Sequence, residues 1–391
     1  VMTQNIGAGR PGVAYQARQL GLAFNAVLGI ILSLILAFGA GTILAGVGVA
    51  DALMQPARTY LQIVGGFCIL NALIPICSSY LRAFGFSKEP LYASIIGNVI
   101  NFCLNAFFLF VLHKGVAGVA TATVISRIIN LVIVVMLGAV LVKAKQHPER
   151  ESNREVMGQI IRIGLPSACE TAIYNVSMTL VIRFLNQMDA QGLNVTARSY
   201  TMQITNFSYC VGAALAQANA IMTGWRIGAK EYDACDRGTR KAAIIGVIVA
   251  VILETMFALC SGWIMQLFSK DPQMVSLVGK LLAIDIVLEM GRVTNLVYGQ
   301  ALKTSGDAVF PVVMGACFMI LCSVGGTYLF GIRLGLLAVG AYIGMAGDEC
   351  VRAVGMYLRW KSGKWKNKGI RYGHGLALIA YTEIHHFCLA T

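Results

Sequence analysis

The sequence predicts an all-α membrane protein built from two parallel helix bundles. Apolar residues make up 57% of the 391 residues and charged residues only 13%, whereas roughly 25% of a soluble domain is charged. Long apolar segments recur, each covering the roughly 20 residues that a helix needs to cross a bilayer. Landmark residues of the first half return 221 positions later. Together these observations indicate a duplicated bundle of membrane helices.

Ten segments are predicted to span the membrane. Five carry no charged residue, and they cover 19–50, 59–81, 90–112, 199–225 and 308–332. Five more carry one to three charges each, and they cover 115–142, 164–184, 242–269, 281–302 and 334–358. Within a bilayer only helices and closed barrels satisfy the backbone. Because these segments lack the alternating pattern of barrel strands, helices are predicted.

The repeat predicts how the lobes are related. Ile6, Gly7 and Ala8 return as Ile-Gly-Ala at 227–229, and six predicted spans lie between the two copies. An even number of crossings returns the chain to the same face, so the two repeats are parallel rather than inverted. The other matches are Arg82 with Lys303, Gly85 with Gly306 and Pro90 with Pro311.

The domain boundaries follow from these spans. Residues 1–142 form an N-terminal lobe of about four helices, and 156–361 form a C-terminal lobe of six. The polar segment 143–155 is predicted to be a cytoplasmic linker. Residues 362–391 are expected to be a basic cytoplasmic tail or, in their last part, the product of a frame change. Because the first lobe lacks two spans found in the second, we expect about 66 residues to precede Val1 in a 6+6 helix protein.

The net charge of +13 follows the predicted topology. When alternate connections are assigned to alternate faces, 21 of the 31 Lys and Arg residues lie at one face and six at the other. An excess of Lys and Arg marks the cytoplasmic face, so we expect the linker and basic loops to be cytoplasmic in a cell inner membrane. No nucleic-acid partner is needed to explain the charge.

No motif predicts a metal centre, a disulfide framework or a nucleotide site. The eleven Cys residues are scattered, with no C-x-x-C pair. The phosphate-loop sequence is also absent. We therefore expect no enzymatic activity and no cofactor, and any transport to be secondary, with Na⁺ or H⁺ as the coupling ion.

Ionisable residues inside the spans are the main site candidates, because each costs roughly 2.5–3.5 kcal/mol at a span centre. Asp285, Glu289 and Arg292 have i, i+4, i+7 spacing and share one helix face. Glu170 follows Pro166 in the first span of the second lobe. A buried carboxylate can bind a proton or Na⁺. We therefore expect cation coupling at Glu170, Asp285 and Glu289. Neither Glu170 nor Asp285 has an Arg three or four residues away.

Static ion pairing is the alternative for several charged residues, and it would only fix helix packing. The spacing favours pairs of Asp348 and Glu349 with Arg352, and of Glu289 with Arg292. These Arg, Asp and Glu residues are therefore expected to form supporting ion pairs.

Several further residues carry weaker predictions. Asn98, Asn101 and Asn105 share a helix face in the first lobe. They could contact a cation or substrate, or hydrogen-bond between helices. Tyr174 could line an aromatic cavity for organic cations, or simply pack. Glu254 lies alone in its span, and both readings stay open for it.

Six motifs occur in an order and spacing that are specific in combination: IGAGR, RAFGFSKEP, GLPSACE, IGAKEYDAC, KTSGDAVFP and VRAVGMYLRWKSGKW. On these motifs the chain resembles the multidrug and toxic compound extrusion (MATE) family over about residues 1–366. The resemblance implies twin six-helix bundles that export small organic cations or amphipathic drugs in exchange for Na⁺ or H⁺. It also implies acidic coupling residues in the seventh and tenth family helices, matched here by Glu170 and Asp285. In the fifth family helix some members have Asn followed four residues later by Asp, where this chain has Asn101 and Asn105.

Other functions stay open on the sequence. A lipid-linked oligosaccharide flippase of the wider superfamily would need several cations for pyrophosphate, whereas Arg127 is the only charged residue within a first-lobe span. A membrane scaffold that transports nothing and a non-functional fragment are also possible. We expect a monomer in the lipid bilayer, with small cationic or amphipathic molecules as partners.

Overall fold

The computed structural model describes residues 1–47, 51–142, 149–189 and 191–369. The secondary structure of these residues is helical throughout, which confirms the all-α prediction. The helices are α1 Met2–Gly7, α2 Pro11–Val47, α3 Asp51–Tyr60, α4 Ile69–Ala83, α5 Lys88–Ala106, α6 Gly115–Leu141, α7 Asn153–Met188, α8 Leu193–Gly228, α9 Tyr232–Leu259, α10 Ser261–Met265, α11 Pro272–Thr304, α12 Val309–Phe318 and α13 Leu337–Lys361. Tighter or wider helical turns occur at Leu61–Gly65, Phe107–Val111, Met319–Val324, Thr327–Arg333 and Lys364–Asn367.

Each predicted span overlaps a long helical stretch, although α9 ends at Leu259, ten residues before the end of the predicted span 242–269. Five helical stretches are long and apolar enough to cross a membrane: α2, Lys88–Val111, α6, α9 and Val309–Arg333. A sixth candidate joins Asp51–Gly65 to α4 with a bend of 41°. The other long helices, α7, α8, α11 and α13, are more polar. α7, α11 and α13 carry most of the charged residues predicted to lie in spans, and the uncharged span of α8 contains Ser, Thr, Asn and Gln residues.

The predicted linker 143–155 is partly helical. α7 begins at Asn153, so the last three residues of that segment are its first turn. Three predicted stretches lie outside the described residues: 143–148 of the linker, 48–50 of the first span and 370–391 of the tail.

The described chain divides into two units between Ile160 and Ile161. In the first unit, α4 packs against α2 and α6, and α5 packs against α6. Its core includes Tyr80 and Leu81 of α4. The guanidinium of Arg18 lies 4.8 Å from the centre of the Tyr80 ring.

In the second unit α11 is the central helix, packed against α8, α9 and α13. Four of its apolar residues are fully buried: Leu281, Leu288, Val293 and Val297. Polar residues interleave with them, since Asp285 and Arg292 lie on the same side of the helix as Leu288. This one helix therefore contributes both to the core and to the polar interior of the unit.

The two copies of the repeat form the same turns. Gly9 and Lys230, which are 221 residues apart, both have a left-handed backbone, with φ of 72° and 62°. In each copy the next amide donates to a carbonyl five residues earlier, at 2.8 Å. Gly85 and Gly306 form a second matched pair, with φ of 90° and 92°. The duplicated sequence thus encodes duplicated backbone geometry.

Gly291 allows α11 to approach α13 closely. A Cβ atom at this position would lie 2.9 Å from the backbone nitrogen of Cys350 and 2.9 Å from the backbone carbon of Glu349. Atoms of the main chain cannot move aside without shifting the helix. The absence of a side chain at Gly291 therefore sets the distance between the two helices that carry most of the intramembrane charges.

We predict that Gly291→Ala pushes α11 and α13 apart and destabilises the protein by roughly 1–3 kcal/mol, as overpacking of a core does. The measurement is thermal unfolding in detergent. Gly347→Ala on α13 is the matched control, because a Cβ there would meet nothing within 4 Å. Equal unfolding temperatures for the two variants would contradict this account of the helix contact.

Candidate functional site

The second unit contains a cavity of about 530 Å³. Its walls come from α7, α8, α11, α13 and the stretch from Pro311 to Met319. Cavities of about 300–1,000 Å³ are typical of small-molecule sites. The charged residues that line it are Glu170, Arg198, Asp285, Arg292, Lys303, Glu349 and Arg352.

One stripe of α11 forms a continuous wall of this cavity. Asp285, Arg292, Asn295, Gly299 and Lys303 all line it. They recur at intervals of three, four or seven residues, which keeps them on one helix face. The stripe is about 27 Å long at the rise of an α-helix. This length is close to the roughly 30 Å thickness of a bilayer core.

Asp285 is the least compensated carboxylate on the cavity wall. The residue is 2% exposed. Its Oδ2 atom has no hydrogen-bond partner, and within the described chain no Lys or Arg nitrogen lies within 4.0 Å of the carboxylate. Its main charged neighbours at longer range are Arg292 and Glu349. Asp285 can therefore accept a cation without first releasing a paired side chain.

Five residues of α11 and α13 form a chain of ion pairs. Arg292 pairs with Glu289 on its own helix, and its Nε lies 3.7 Å from Oε1 of Glu349 on α13. Arg352 Nη2 lies 2.9 Å from the same Glu349 oxygen, and its Nε donates to Asp348 Oδ1 at 2.8 Å. The pairs expected from spacing form within α11 and within α13, and the contact between Arg292 and Glu349 joins the two helices.

Neutral side chains complete this network. Asn295 donates to Glu349 at 3.0 Å, and Ser323 donates to Asp348 at 2.9 Å. A buried carboxylate needs several donors to offset its loss of hydration. Each of the two carboxylates on α13 therefore accepts a hydrogen bond from a neutral side chain in addition to its arginine contact.

Glu170 is paired, contrary to what its helix spacing suggested. The Nζ atom of Lys303 lies 2.6 Å from Oε2 of Glu170, and this contact joins α7 to α11. Both side chains are 18% exposed. The spacing rule tests only neighbours on the same helix, so it missed a partner contributed by another helix.

Glu254 lies behind the cavity wall. It is fully buried on α9, and neither carboxylate oxygen has a hydrogen-bond partner among the residues that the structure describes. Asp285, Glu289 and Arg292 are its charged neighbours, and the hydroxyl of Ser208 lies close by. The structure thus places a second uncompensated carboxylate near Asp285.

Arg198 is the uncompensated cation of the cavity. It lies in the second turn of α8, is 7% exposed, and has a buried Nε without a hydrogen-bond partner. Its Nη2 atom contacts the sulfur of Met178 at 3.7 Å. No carboxylate oxygen lies within 4.0 Å of it in the part of the chain that the structure describes.

The weaker candidates fall into two groups. In the first unit, Asn101 donates to Ser126 of α6 at 3.3 Å, and Asn105 donates to Asn101 at 3.0 Å. Asn98 is exposed and lies apart from these bonds. Tyr174 is 40% exposed and lines the cavity of the second unit.

Sequence reasoning missed Arg198 and Lys303 as site residues. Both were assigned to connections between spans, because each stands one residue outside an apolar segment. The structure extends α8 and α11 beyond those segments and places both side chains at the cavity. A charge at the edge of an apolar segment was the only available signal.

Comparison with known proteins gives consistent results. The MatE family model matches residues 1–107 and 166–329. The chain is 32% identical over 376 residues to YisQ of Bacillus subtilis, an uncharacterized transporter, covering 95% of this chain and 82% of that protein. It is 23% identical over 326 residues to NorM of Thermotoga maritima, a probable multidrug resistance protein, covering 80% of this chain and 68% of that one.

Solved structures share the fold. A crystal structure of MATE in the straight conformation has a TM-score of 0.81 and 19% identity, covering 94% of this chain and 82% of that chain. The eukaryotic MATE transporter AtDTX14 also has a TM-score of 0.81, with 17% identity and coverage of 98% and 86%.

We predict that Arg292→Met destabilises the protein by about 3 kcal/mol, because it leaves the fully buried Glu289 without its partner. The double variant Arg292→Met/Glu289→Gln should recover at least part of this loss, because position 289 then no longer holds a buried charge that has lost its partner. Thermal unfolding in detergent measures both effects. Lys280→Met, which removes an exposed charge from the same helix, is the control. A double variant no more stable than Arg292→Met would contradict the assigned pair.

Proposed function

This chain belongs to the MatE family of membrane transporters, and from that membership we propose that it is a secondary antiporter that exports small molecules in exchange for Na⁺ or H⁺. The family assignment accounts for efflux transport by an integral membrane protein. The coupling ion, the substrate and the residues that bind them are the proposed part.

The observation that carries the proposal is Asp285, a buried carboxylate that lines the cavity without an ion-pair partner. An uncompensated charge at this depth is costly, and a bound proton or sodium ion removes the cost. Binding of the ion therefore stabilises the state in which Asp285 is enclosed more than a state in which Asp285 is hydrated. Such a difference is what allows an ion to shift a conformational equilibrium.

Glu170 and Glu289 have secondary roles in the proposed coupling. Lys303 neutralises Glu170, and Arg292 neutralises Glu289. An ion can bind either carboxylate only by competing with a side chain that is already in place. We therefore assign the first binding event to Asp285 and a rearrangement of the ion pairs to the later steps.

The lining of the cavity supports small cationic or amphipathic substrates. Tyr174 and Tyr209 contribute aromatic rings, and Met178, Met202 and Met345 contribute flexible, polarizable side chains. Aromatic rings attract organic cations, and methionines adapt to ligands of different shape. NorM of Thermotoga maritima is named as a probable multidrug resistance protein, and we extend that substrate class to this chain.

The orientation follows from the distribution of basic residues. We place the linker and the basic loops in the cytoplasm of a cell whose inner membrane holds the protein as a monomer. Export then runs from that side outwards.

A flippase for lipid-linked oligosaccharides is less well supported. Lys303, Arg292 and Arg352 are each occupied by a carboxylate, so they are not free to hold a pyrophosphate. In the first unit, Arg127 is half-buried on α6, and this one residue does not supply the several cations that a pyrophosphate needs.

We predict that Asp285→Asn abolishes ion-driven export and leaves folding and membrane insertion intact, because the amide keeps the shape of the side chain but cannot bind a proton or Na⁺ through a charge. The assay measures ethidium movement in reconstituted vesicles under separately imposed Na⁺ and pH gradients. The gradient that drives transport by the unmodified protein identifies the coupling ion. Asp233→Asn, an exposed residue in the first turn of α9, is the matched control.

Three outcomes would count against the proposal. Transport by the unmodified protein that ignores both gradients would exclude antiport. Undiminished transport by Asp285→Asn would remove this carboxylate from the coupling step. Equal losses in Asp285→Asn and Asp233→Asn would show that the loss does not depend on the cavity.

A further inference from the structure

No carboxylate oxygen of the described chain lies within 4.0 Å of the Arg198 guanidinium. Burial of a guanidinium without a counter-charge is costly, and such groups are normally paired. The side chain is 7% exposed, its Nε has no partner, and the contact nearest to its Nη2 is a thioether sulfur at 3.7 Å. Because Arg198 also lines the cavity, its missing partner can be supplied by a bound molecule.

We propose that Arg198 binds the carboxylate of those transported molecules that carry one, and that this residue distinguishes them from simple cations. This inference rests on the proposed function, because it concerns the cavity through which that transport is proposed to occur.

A second charge of the cavity favours a zwitterion. Arg198, Asp285 and Arg292 are charged neighbours of the buried Tyr342. In the cavity lining that the structure describes, Arg198 and Asp285 are the cation and the carboxylate without a direct ion pair. A molecule with an amine and a carboxylate would therefore neutralise both at once.

The chemistry of the site favours a carboxylate over a phosphate-bearing lipid. A planar guanidinium matches a carboxylate through two parallel hydrogen bonds. A pyrophosphate carries more charge than one cation can offset, and the other cations of the cavity are already paired with carboxylates. One free guanidinium therefore fits one single-charged group.

The test uses two dyes that differ in a single group: a rhodamine with a free carboxylate and its methyl ester, which is purely cationic. Ion-driven transport of each dye is measured in vesicles reconstituted with the full chain, and KM is determined for both. Arg198→Gln should raise KM for the carboxylate dye about tenfold or more, because a hydrogen-bonded charge pair is lost. KM for the ester should stay unchanged.

Two further variants complete the design. Arg198→Lys keeps the positive charge but loses the planar guanidinium that can donate two parallel hydrogen bonds. Its affinity for the carboxylate dye should therefore lie between those of the unmodified protein and Arg198→Gln. Arg183→Gln removes an exposed arginine of α7 and should leave both dyes unaffected. Because both dyes are measured on one preparation of each variant, transport of the ester reports directly on folding.

The outcomes separate this inference from the proposed function. If the unmodified protein moves neither dye under either gradient, the proposed antiport fails. If it moves the ester but not the carboxylate dye, or if Arg198→Gln changes both KM values equally or neither, antiport stands and the assignment of Arg198 is overturned. Should Arg198→Gln not fold, a selective rise in KM for the carboxylate dye in Arg198→Lys would support the assignment, and equal KM changes there would overturn it.

Discussion

Charge compensation around α11 is the constraint on which the second unit depends. A charged group inside a bilayer has no water to solvate it, so each must find an opposite charge or hydrogen-bonding partners within the protein. α11 and α13 meet this requirement with a chain of pairs that runs from Glu289 through Arg292 and Glu349 to Arg352 and Asp348. Because the members are shared, no pair can open without affecting the next one.

This sharing gives the network a mechanical consequence. Glu349 contacts an arginine on each helix, and Gly291 holds the backbones of those helices in close contact. A tightly packed interface has discrete arrangements rather than a continuous range. Asp285 interacts with Arg292 on α11 and with Glu349 on α13, so a change of its charge would alter the electrostatic interactions of both helices. In the proposed antiport, this connection would couple ion binding at Asp285 to a rearrangement of α11 and α13.

The two units retain the same turns but differ in chemistry. The left-handed residues Gly9 and Lys230 occupy equivalent positions, as do Gly85 and Gly306. The described part of the first unit, however, joins α5 to α6 with a neutral hydrogen bond between Asn101 and Ser126. Backbone geometry at the turns was retained because both bundles need the same chain reversals. Intramembrane charge was free to diverge, since each bundle only has to compensate the charges it contains.

The sequence by itself determined the features that depend on near neighbours along the chain. Apolar length predicted the helices, the repeat predicted duplicated bundles, and i, i+3 and i, i+4 spacing indicated which acidic residues Arg352 would meet on its own helix. Only the tertiary structure decided contacts between helices. It paired Glu170 with Lys303, and among the described residues it left Arg198 and Asp285 without a direct ion-pair partner. The physical reason is that helical periodicity fixes the direction of a side chain relative to its own helix. Which residue of another helix it meets depends on the rotation, depth and crossing of the two, and these are set by packing throughout the unit.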